Sequence, residues 1–499
     1  MSVSLDGAER VARWEQIYER GYRGVLERAA AGMPLPVLGF HTTIDGLKRI
    51  VPEEVERVLE ADPAMAEDVR SRVARGAVPE EIWTPADLLV GMLVSLAKGK
   101  ALQRVIRARD VHEWTMDTLP YDRLRAGGTC GNMTSMLAPL GFPRILLYVN
   151  PLTREQAELL PQHDNVKVVV RQENGGAGGS GAGFVLRKPI DAWREEGVKA
   201  VHWIFEYPEG MRIRVPSAGI DITAPRANRY IASYNPINNQ LRINPDFKAG
   251  LLSLIESGER FTHFIIAGFH ILSEKYPDGS GCADCLRPMA EFISQVKQAA
   301  PGIKIHFELA SIGSQVVRRC VMGLTVPLGH SLGLNEVELA TLLGDLGETE
   351  LAADIETTES PAAVFRGVAE AGKRLGLARI HLHNLGYYLC LSRPDFVSAE
   401  RTRDGLVFAA CAAAARTATA SLISLEDVER GLAVGISAAG LEASRQLAEY
   451  LGRPELAEEG IAHVDGWDVC FVPTKVVGRP ALTVGLGDLI SSSSFLLGT

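Results

Sequence analysis

The sequence predicts an α/β protein: a large, mostly parallel sheet flanked by helices on both faces, with a smaller α/β unit attached. Two observations carry this reading. Strand-like runs at 37–40, 144–149, 166–170, 264–267, 304–308 and 379–383 are separated by longer stretches with helical spacing of apolar residues. Such alternation puts helices over both faces of a parallel sheet. The chain also has 499 residues, 46% of them hydrophobic and 23% charged, enough to bury a large core, and open α/β enzymes reach this size as one large domain with insertions.

Taken in order, the N-terminal stretch is charged and amphipathic at helical spacing, unlike a signal peptide. Pro34-Leu35-Pro36 ends that pattern. The run 37–40 then leads into His41-Thr42-Thr43-Ile44-Asp45-Gly46, read as a strand delivering polar groups to its tip. Residues 51–115 are rich in Glu, Arg, Ala and Leu with helical periodicity, and 125–132 opens another helix. The runs 144–149 and 166–170 flank a helix, as a β-α-β unit requires. The glycine-rich stretch 173–183 can neither pack nor sustain a helix and is expected to be a flexible connection. Alternating runs at 200–207 and 211–215, joined by Pro208-Glu209-Gly210, suit a hairpin in a second, smaller sheet.

Composition narrows the function classes. With 52 Lys+Arg against 61 Asp+Glu the net charge is −9, which argues against a nucleic-acid partner because phosphate binding needs a basic surface. Seven cysteines at 130, 282, 285, 320, 390, 411 and 470 are odd in number and irregular in spacing, so no disulfide framework is expected and the compartment is read as the cytoplasm. Cys282-x-x-Cys285 lacks the second pair or the histidines of a zinc site and is read as an incidental surface loop. No apolar run approaches a membrane span, so no membrane partner is expected. No G-x-G-x-x-G follows an early strand, which excludes a dinucleotide oxidoreductase.

In an open parallel sheet ligands bind beyond the carboxyl ends of the strands. The strongest local signal is Gly485-Leu486-Gly487-Asp488, where a strand is expected to run into a helix. Glycines there let the backbone close around an anion at the helix N-terminus. Asp488 opposes a bound phosphate unless it takes the proton of an attacking hydroxyl; alternatively it is an ordinary helix-start aspartate. Glu308 and Glu338 each follow a strand. Phosphoryl transfer needs Mg²⁺, which keeps most of its waters and takes only one or two carboxylates. The bland alternatives are an arginine-paired strand-end glutamate and a glutamate favoured by a helix dipole.

Nine blocks in order along the chain, GFHTTIDGLKRI (39–50), GGTCGNMTSML (127–137), VHWIFEYPEG (201–210), PRANRYIAS (225–233), IIAGFHIL (265–272), HFELAS (306–311), SLGLNEVEL (331–339), RIHLHNLGYYL (379–389) and TVGLGDLISSSSF (483–495), give it a clear likeness. The sequence resembles the ADP-dependent sugar kinases, the glucokinase/phosphofructokinase group of the ribokinase-like fold. The resemblance implies transfer of phosphoryl from ADP to a sugar or sugar phosphate, yielding AMP, with Mg²⁺ as cofactor. It casts Asp488 as general base, Gly485 and Gly487 as the anion hole, and Glu308 and Glu338 as the metal carboxylates. Arg229 is implied to contact the donor phosphates, with Asn228 beside it. Asp45, Gly127 and Gly128 are implied at the sugar. His270 is weighed as a core histidine. His381, His383 and Tyr387 either line the nucleotide pocket or pack, and packing is preferred for the two histidines. The resemblance also implies a large domain of 1–41, 126–183 and 233–499, and a lid of 42–125 and 184–232 that closes to expel water.

Three departures bear on the acceptor. Family glucokinases carry a glutamate shortly after a Gly-Lys-Ala block, where this chain has Gln103; an amide lacks the charge-assisted strength of a carboxylate. Thr129, Cys130 and Asn132 also depart from the family pattern after the double glycine. Arg187, Lys188, Arg212 and Arg214 are the cations available for a sugar phosphate. Glucose and fructose 6-phosphate are both expected acceptors; the alternatives are another sugar or nucleoside, or a non-catalytic sensor on the same fold.

Overall fold

The computed structural model describes residues 7–172, 183–194, 199–236, 239–421, 424–478 and 485–499. Its large sheet has eleven strands in the order Ile461–Val464, Trp467–Pro473, Tyr387–Ser392, Arg379–His383, Ser331–Leu334, Lys304–Glu308, His263–Ile266, Pro36–Gly39, Ile145–Leu147, Val166–Gln172 and Gly183–Arg187. The stretch from Arg379–His383 to Val166–Gln172 is parallel throughout, and antiparallel strands finish both edges. Burial alternates with the period-two pleat: Val37, Phe264 and Ile266 belong to one apolar cluster, Leu38, Ile265 and Ala267 to another. Both faces are therefore core, as the near-continuous apolar runs require.

A second sheet of six strands runs Glu81–Ile82, Leu102–Ile106, Asn228–Tyr234, Val201–Tyr207, Thr43–Arg49 and Arg123–Gly127. Its core is a third cluster holding Trp203, Phe205 and Tyr230 together with Leu88, Leu89 and Leu93. These leucines lie on the helix Pro85–Lys98, whose start is fixed by a Thr84/Asp87 capping box and whose end is fixed by Gly99 at φ 57°. The chain passes between the sheets at His41–Thr42 and at Gly127–Gly128. There the Cys130 N–H donates to the His41 carbonyl at 2.9 Å, and Gly128 has φ 74° with no room for a Cβ, which would lie 2.7 Å from that same carbonyl oxygen.

Four local expectations are corrected. The segment 43–46 belongs to a separate strand, Thr43–Arg49, of the second sheet, so Asp45 lies within that strand and not at the tip of the strand Pro36–Gly39. Within 51–115 the helices are interrupted by the short strands Glu81–Ile82 and Leu102–Ile106. Arg212–Val215 pairs with Ile220–Thr223 in a separate two-stranded ribbon, while Val201–Tyr207 takes Asn228–Tyr234 and Thr43–Arg49 as neighbours; a longer-range pairing with more apolar burial prevails over the nearby turn. Cys282 and Cys285 occupy the first turn of the helix Cys282–Ala299 and are buried, because their spacing faces both toward the core. Strand Gly183–Arg187 adds to the edge of the large sheet. Residues 173–182 of the expected flexible connection and 479–484 of the expected strand lie outside the described residues. Among the described residues no helix is long and apolar enough to cross a membrane.

Candidate active site

The carboxyl ends of three neighbouring strands bring one polar rim together. Glu308 ends its strand opposite Gly333, and Gly333 lies opposite His381 on the next strand. Over this rim sits the helix Leu486–Gly498, entered through Gly485 at φ 76°. Its run Ser491–Ser494 is fully buried, and buried hydroxyls need partners. The Ser491 hydroxyl donates to Glu308 and lies 2.9 Å from His306 Nε2. His306 Nε2 approaches Glu308 at 3.4 Å, and its Nδ1 meets the Ser331 hydroxyl at 2.8 Å. The buried Arg379 guanidinium donates to the hydroxyls of Ser331 and Ser494, at 3.0 and 3.3 Å. Glu308 is thereby the end of a polar chain that crosses the core.

Asp488 lies in the first turn of that helix, half-buried, and its Oδ2 accepts a hydrogen bond from Asn132 Nδ2 at 3.0 Å. Burial pushes its pKa up to about 8, helped by the charges of Glu308, Asp45 and Glu338 and opposed by the Asn132 amide. Glu338 is pushed up to about 7 by burial and by Glu308. Burial also works against the Glu308 carboxylate, yet the hydrogen bond from His306, the neighbouring His383 and the Ser491 hydroxyl hold it below the usual glutamate range. Pushing neighbouring carboxyl groups to different pKa values separates a base from its ionised neighbours. Glu338 also completes a capping box, its N–H donating to Asn335 Oδ1 at 2.9 Å and its Oε2 accepting from the Asn335 N–H at 3.1 Å. Glu338 is thus a helix-start glutamate, and its other oxygen is left to the weaker 3.4 Å contact with Ser311.

Gly487 faces His383, whose Nε2 would be 3.2 Å from an added Cβ, and a Cβ on Gly485 would come within 3.5 Å of Asn132. The backbone at the helix start is therefore walled by polar side chains. On the second sheet, Asp45 is buried and its Oδ2 accepts from Arg125 Nε and Nη2 at 3.2 and 3.0 Å. Burial raises its pKa, and Arg125, Thr43 and Arg229 counteract this. Gly127 permits the arrangement, since its Cβ would overlap Asp45 Oδ1 at 1.8 Å.

Other sequence-assigned residues are engaged structurally. Gln103 donates to the Ser233 hydroxyl at 3.1 Å. Asn228 donates to the Gly99 carbonyl at 2.9 Å and accepts from the Arg229 N–H at 3.0 Å. The Tyr387 ring is buried and stacks on Phe471 at 4.6 Å. His270 packs edge-on to His41 at 4.6 Å. Lys188 and Arg212 are held by Asp164 and Asp221 in exposed pairs. Sequence reading passed over Arg125, Ser491, His306 and Arg379. The four consecutive serines in an apolar helix were the available signal for the buried network.

Among the described residues no three His, Cys, Asp or Glu side chains are close enough to hold a metal by themselves. Glu308 and Glu338 fit a hydrated Mg²⁺ nonetheless, because that ion takes few carboxylates and completes its shell with water and phosphate oxygens. Each carboxylate raises the pKa of Asp488, so a cation there relieves like-charge repulsion.

Residues 36–497 match the model of the ADP-specific phosphofructokinase/glucokinase conserved region. The chain is 30% identical to an ADP-specific phosphofructokinase of Methanosarcina acetivorans, over 97% of each chain. It is 32% identical to an ADP-dependent glucose/glucosamine kinase of Pyrococcus abyssi, over 97% of this chain and 98% of that one. Among solved structures it superposes on an ADP-dependent kinase in complex with fructose-6-phosphate and ADPβS. That match has TM-score 0.80 and 30% identity, and covers 100% of this chain and 98% of the other.

Proposed function

The chain belongs to the family of ADP-specific phosphofructokinases and glucokinases and is an ADP-dependent sugar kinase, and from that premise we propose that Asp488 is its general base and fructose 6-phosphate its preferred acceptor. The observation that carries the base assignment is the half-buried Asp488 carboxylate at a helix start, oriented by Asn132 and raised to about 8. The sugar hydroxyl oxygen bonds to the terminal phosphorus of ADP while the bond from that phosphorus to the bridging oxygen breaks. The bridging electron pair leaves with AMP, and the hydroxyl proton passes to Asp488. The N–H groups of the helix start from Leu486 onward receive the transferring oxygens. Glu308 and Glu338 would hold Mg²⁺, which when bound neutralises phosphate charge. The second sheet acts as a lid carrying Asp45 and Arg229.

Fructose 6-phosphate is favoured because Gln103 stands in place of a carboxylate and spends its amide on Ser233. The fructose-6-phosphate complex of a solved relative supports the same acceptor. A donor-by-acceptor matrix tests this. ADP with fructose 6-phosphate is expected to yield AMP faster than ADP with glucose. Higher kcat/KM with glucose would reverse the acceptor assignment, and no AMP from any sugar would refute the kinase reading.

Gly127→Ala tests the acceptor contact. The added methyl must drive Asp45 from its position beside Arg125. Loss of one hydrogen bond to a charged group costs about 1.5–3 kcal/mol, so the acceptor KM is expected to rise about 10- to 100-fold. An unchanged KM would remove Asp45 from the sugar site.

A further inference from the structure

Arg416 lies in the last turn of the helix Ala399–Thr419. A basic residue there is ordinarily explained by the helix dipole, with its head in water. Arg416 departs from this pattern: it is half-buried, its Nε is sealed from solvent without a hydrogen-bond partner, and it forms no ion pair among the described residues. A buried guanidinium Nε with no acceptor carries a desolvation cost that an arriving anion would relieve.

The packing of two helices says where that anion would be. Helix Ala399–Thr419 runs antiparallel to Leu486–Gly498 in close contact. Gly498 lies against the carbonyls of Arg401 and Thr402, and a Cβ on Gly405 would lie 2.5 Å from Gly498 Cα and 2.9 Å from the Ser494 carbonyl oxygen. From Gly405 to Arg416 is about three turns, so both residues share one face of their helix. The same advance along the partner helix, in the opposite direction, ends at Gly487. Arg416 therefore stands beside the start of the catalytic helix. Electrostatics agree, since after burial the groups acting on Arg416 are Arg125, which disfavours its charge, and Asp488, which favours it. Arg416 thus lies within electrostatic reach of Arg125 and Asp488 at the helix start, with no ion pair of its own among the described residues.

Resting on the sugar-kinase reading, we infer that Arg416 is a further catalytic residue, whose guanidinium binds the phosphoryl group in transit across from the Gly485–Asp488 backbone. The group that moves is the terminal phosphoryl of ADP; its new bond is to the sugar oxygen, its broken bond is to the bridging oxygen, and the proton goes to Asp488. Arg416 forms and breaks no covalent bond. Its planar fork holds two equatorial oxygens as charge spreads over them, a geometry that a lysine does not reproduce.

The test uses the full-length enzyme with ADP and its sugar acceptor. Arg416→Gln is expected to lower kcat by about 10²–10³-fold while the sugar KM stays within about threefold. Arg416→Lys, which keeps the charge and the alkyl packing, is expected to lose at least about tenfold with unchanged thermal stability. Added guanidinium ion at sub-denaturing concentration is expected to restore Arg416→Ala and to leave the unsubstituted enzyme unaffected, which a purely structural arginine would not produce. Full kcat in Arg416→Gln or Arg416→Lys overturns the inference, as does an Arg416→Ala enzyme indifferent to guanidinium. Because the unsubstituted enzyme is assayed alongside, its own failure to make AMP marks failure of the kinase reading instead.

Discussion

Asp488→Asn is expected to lower kcat by about 10²–10⁴-fold and, at the same time, to raise thermal stability. The two effects have one source. Burial and three neighbouring carboxylates push the Asp488 pKa up to about 8, whereas an unfolded chain releases that proton near the ordinary aspartate value of about 3.9. Between those values the folded state binds more protons than the unfolded state, so stability contributed at low pH is lost as pH rises toward 8. Asparagine carries no charge to desolvate and can still accept from Asn132 through its Oδ1. The gain in Tm is therefore expected to be largest at pH 8 and above and small near pH 4. Activity runs the other way: the base must be ionised, so kcat/KM of the unsubstituted enzyme is expected to rise through an apparent pKa near 8. Thermal unfolding at the two pH values, with a pH–rate profile, checks both halves. A destabilised Asp488→Asn protein would falsify the account of a strained base, and an active one would remove the base itself.

How much of this was legible in the sequence depends on the length scale of each interaction. The parallel sheet was readable because strands buried on both faces tend to be apolar at successive positions, as 264–267 is, while in 379–383 apolar Ile380 and Leu382 alternate with buried Arg379 and His381. Asp488, Glu308 and Asp45 were singled out because the ordered blocks around them resemble a family, not because spacing alone points to a carboxylate. The hairpin at 200–215 was misplaced because turn residues are a local signal, while the partners of Val201–Tyr207 come from 43–49 and 228–234. Arg125 was invisible for the same reason. It meets Asp45 only across two strands eighty residues apart, and its alternation with Gly127 looks like any strand. The network from Arg379 to Glu308 joins strands and a helix nearly two hundred residues apart, so only its oddest member, the buried serine run, left a trace.

Gly333→Ala is expected to damage both stability and turnover, because one methyl group enters a crowded, three-membered polar contact in the site. Gly333 sits on the strand Ser331–Leu334 between Glu308 and His381. A Cβ there would lie 2.3 Å from Glu308 Oε2, 2.5 Å from the Ser491 hydroxyl and 3.0 Å from His306 Nε2. None of these can retreat cheaply: Glu308 is held by Ser491 and His306, and His306 by Ser331. Overpacking costs about 1–3 kcal/mol, and a buried carboxylate pushed off its donors adds about 1–3 kcal/mol or more. A stability loss of about 2–6 kcal/mol is expected by denaturant titration, with at least a tenfold fall in kcat because Glu308 no longer faces the rim. Gly302→Ala, with nothing within 4 Å of its Cβ, is the control and is expected to change stability by less than about 0.5 kcal/mol. Ser491→Ala separates crowding from charge. Alone it strips Glu308 of its hydroxyl donor and destabilises; combined with Gly333→Ala it also removes one of the three clashing atoms, so the double variant is expected to lose less than the sum of the two. Strict additivity would mean that the methyl is accommodated by backbone movement and that the Glu308–Ser491–His306 contact does not constrain the strand.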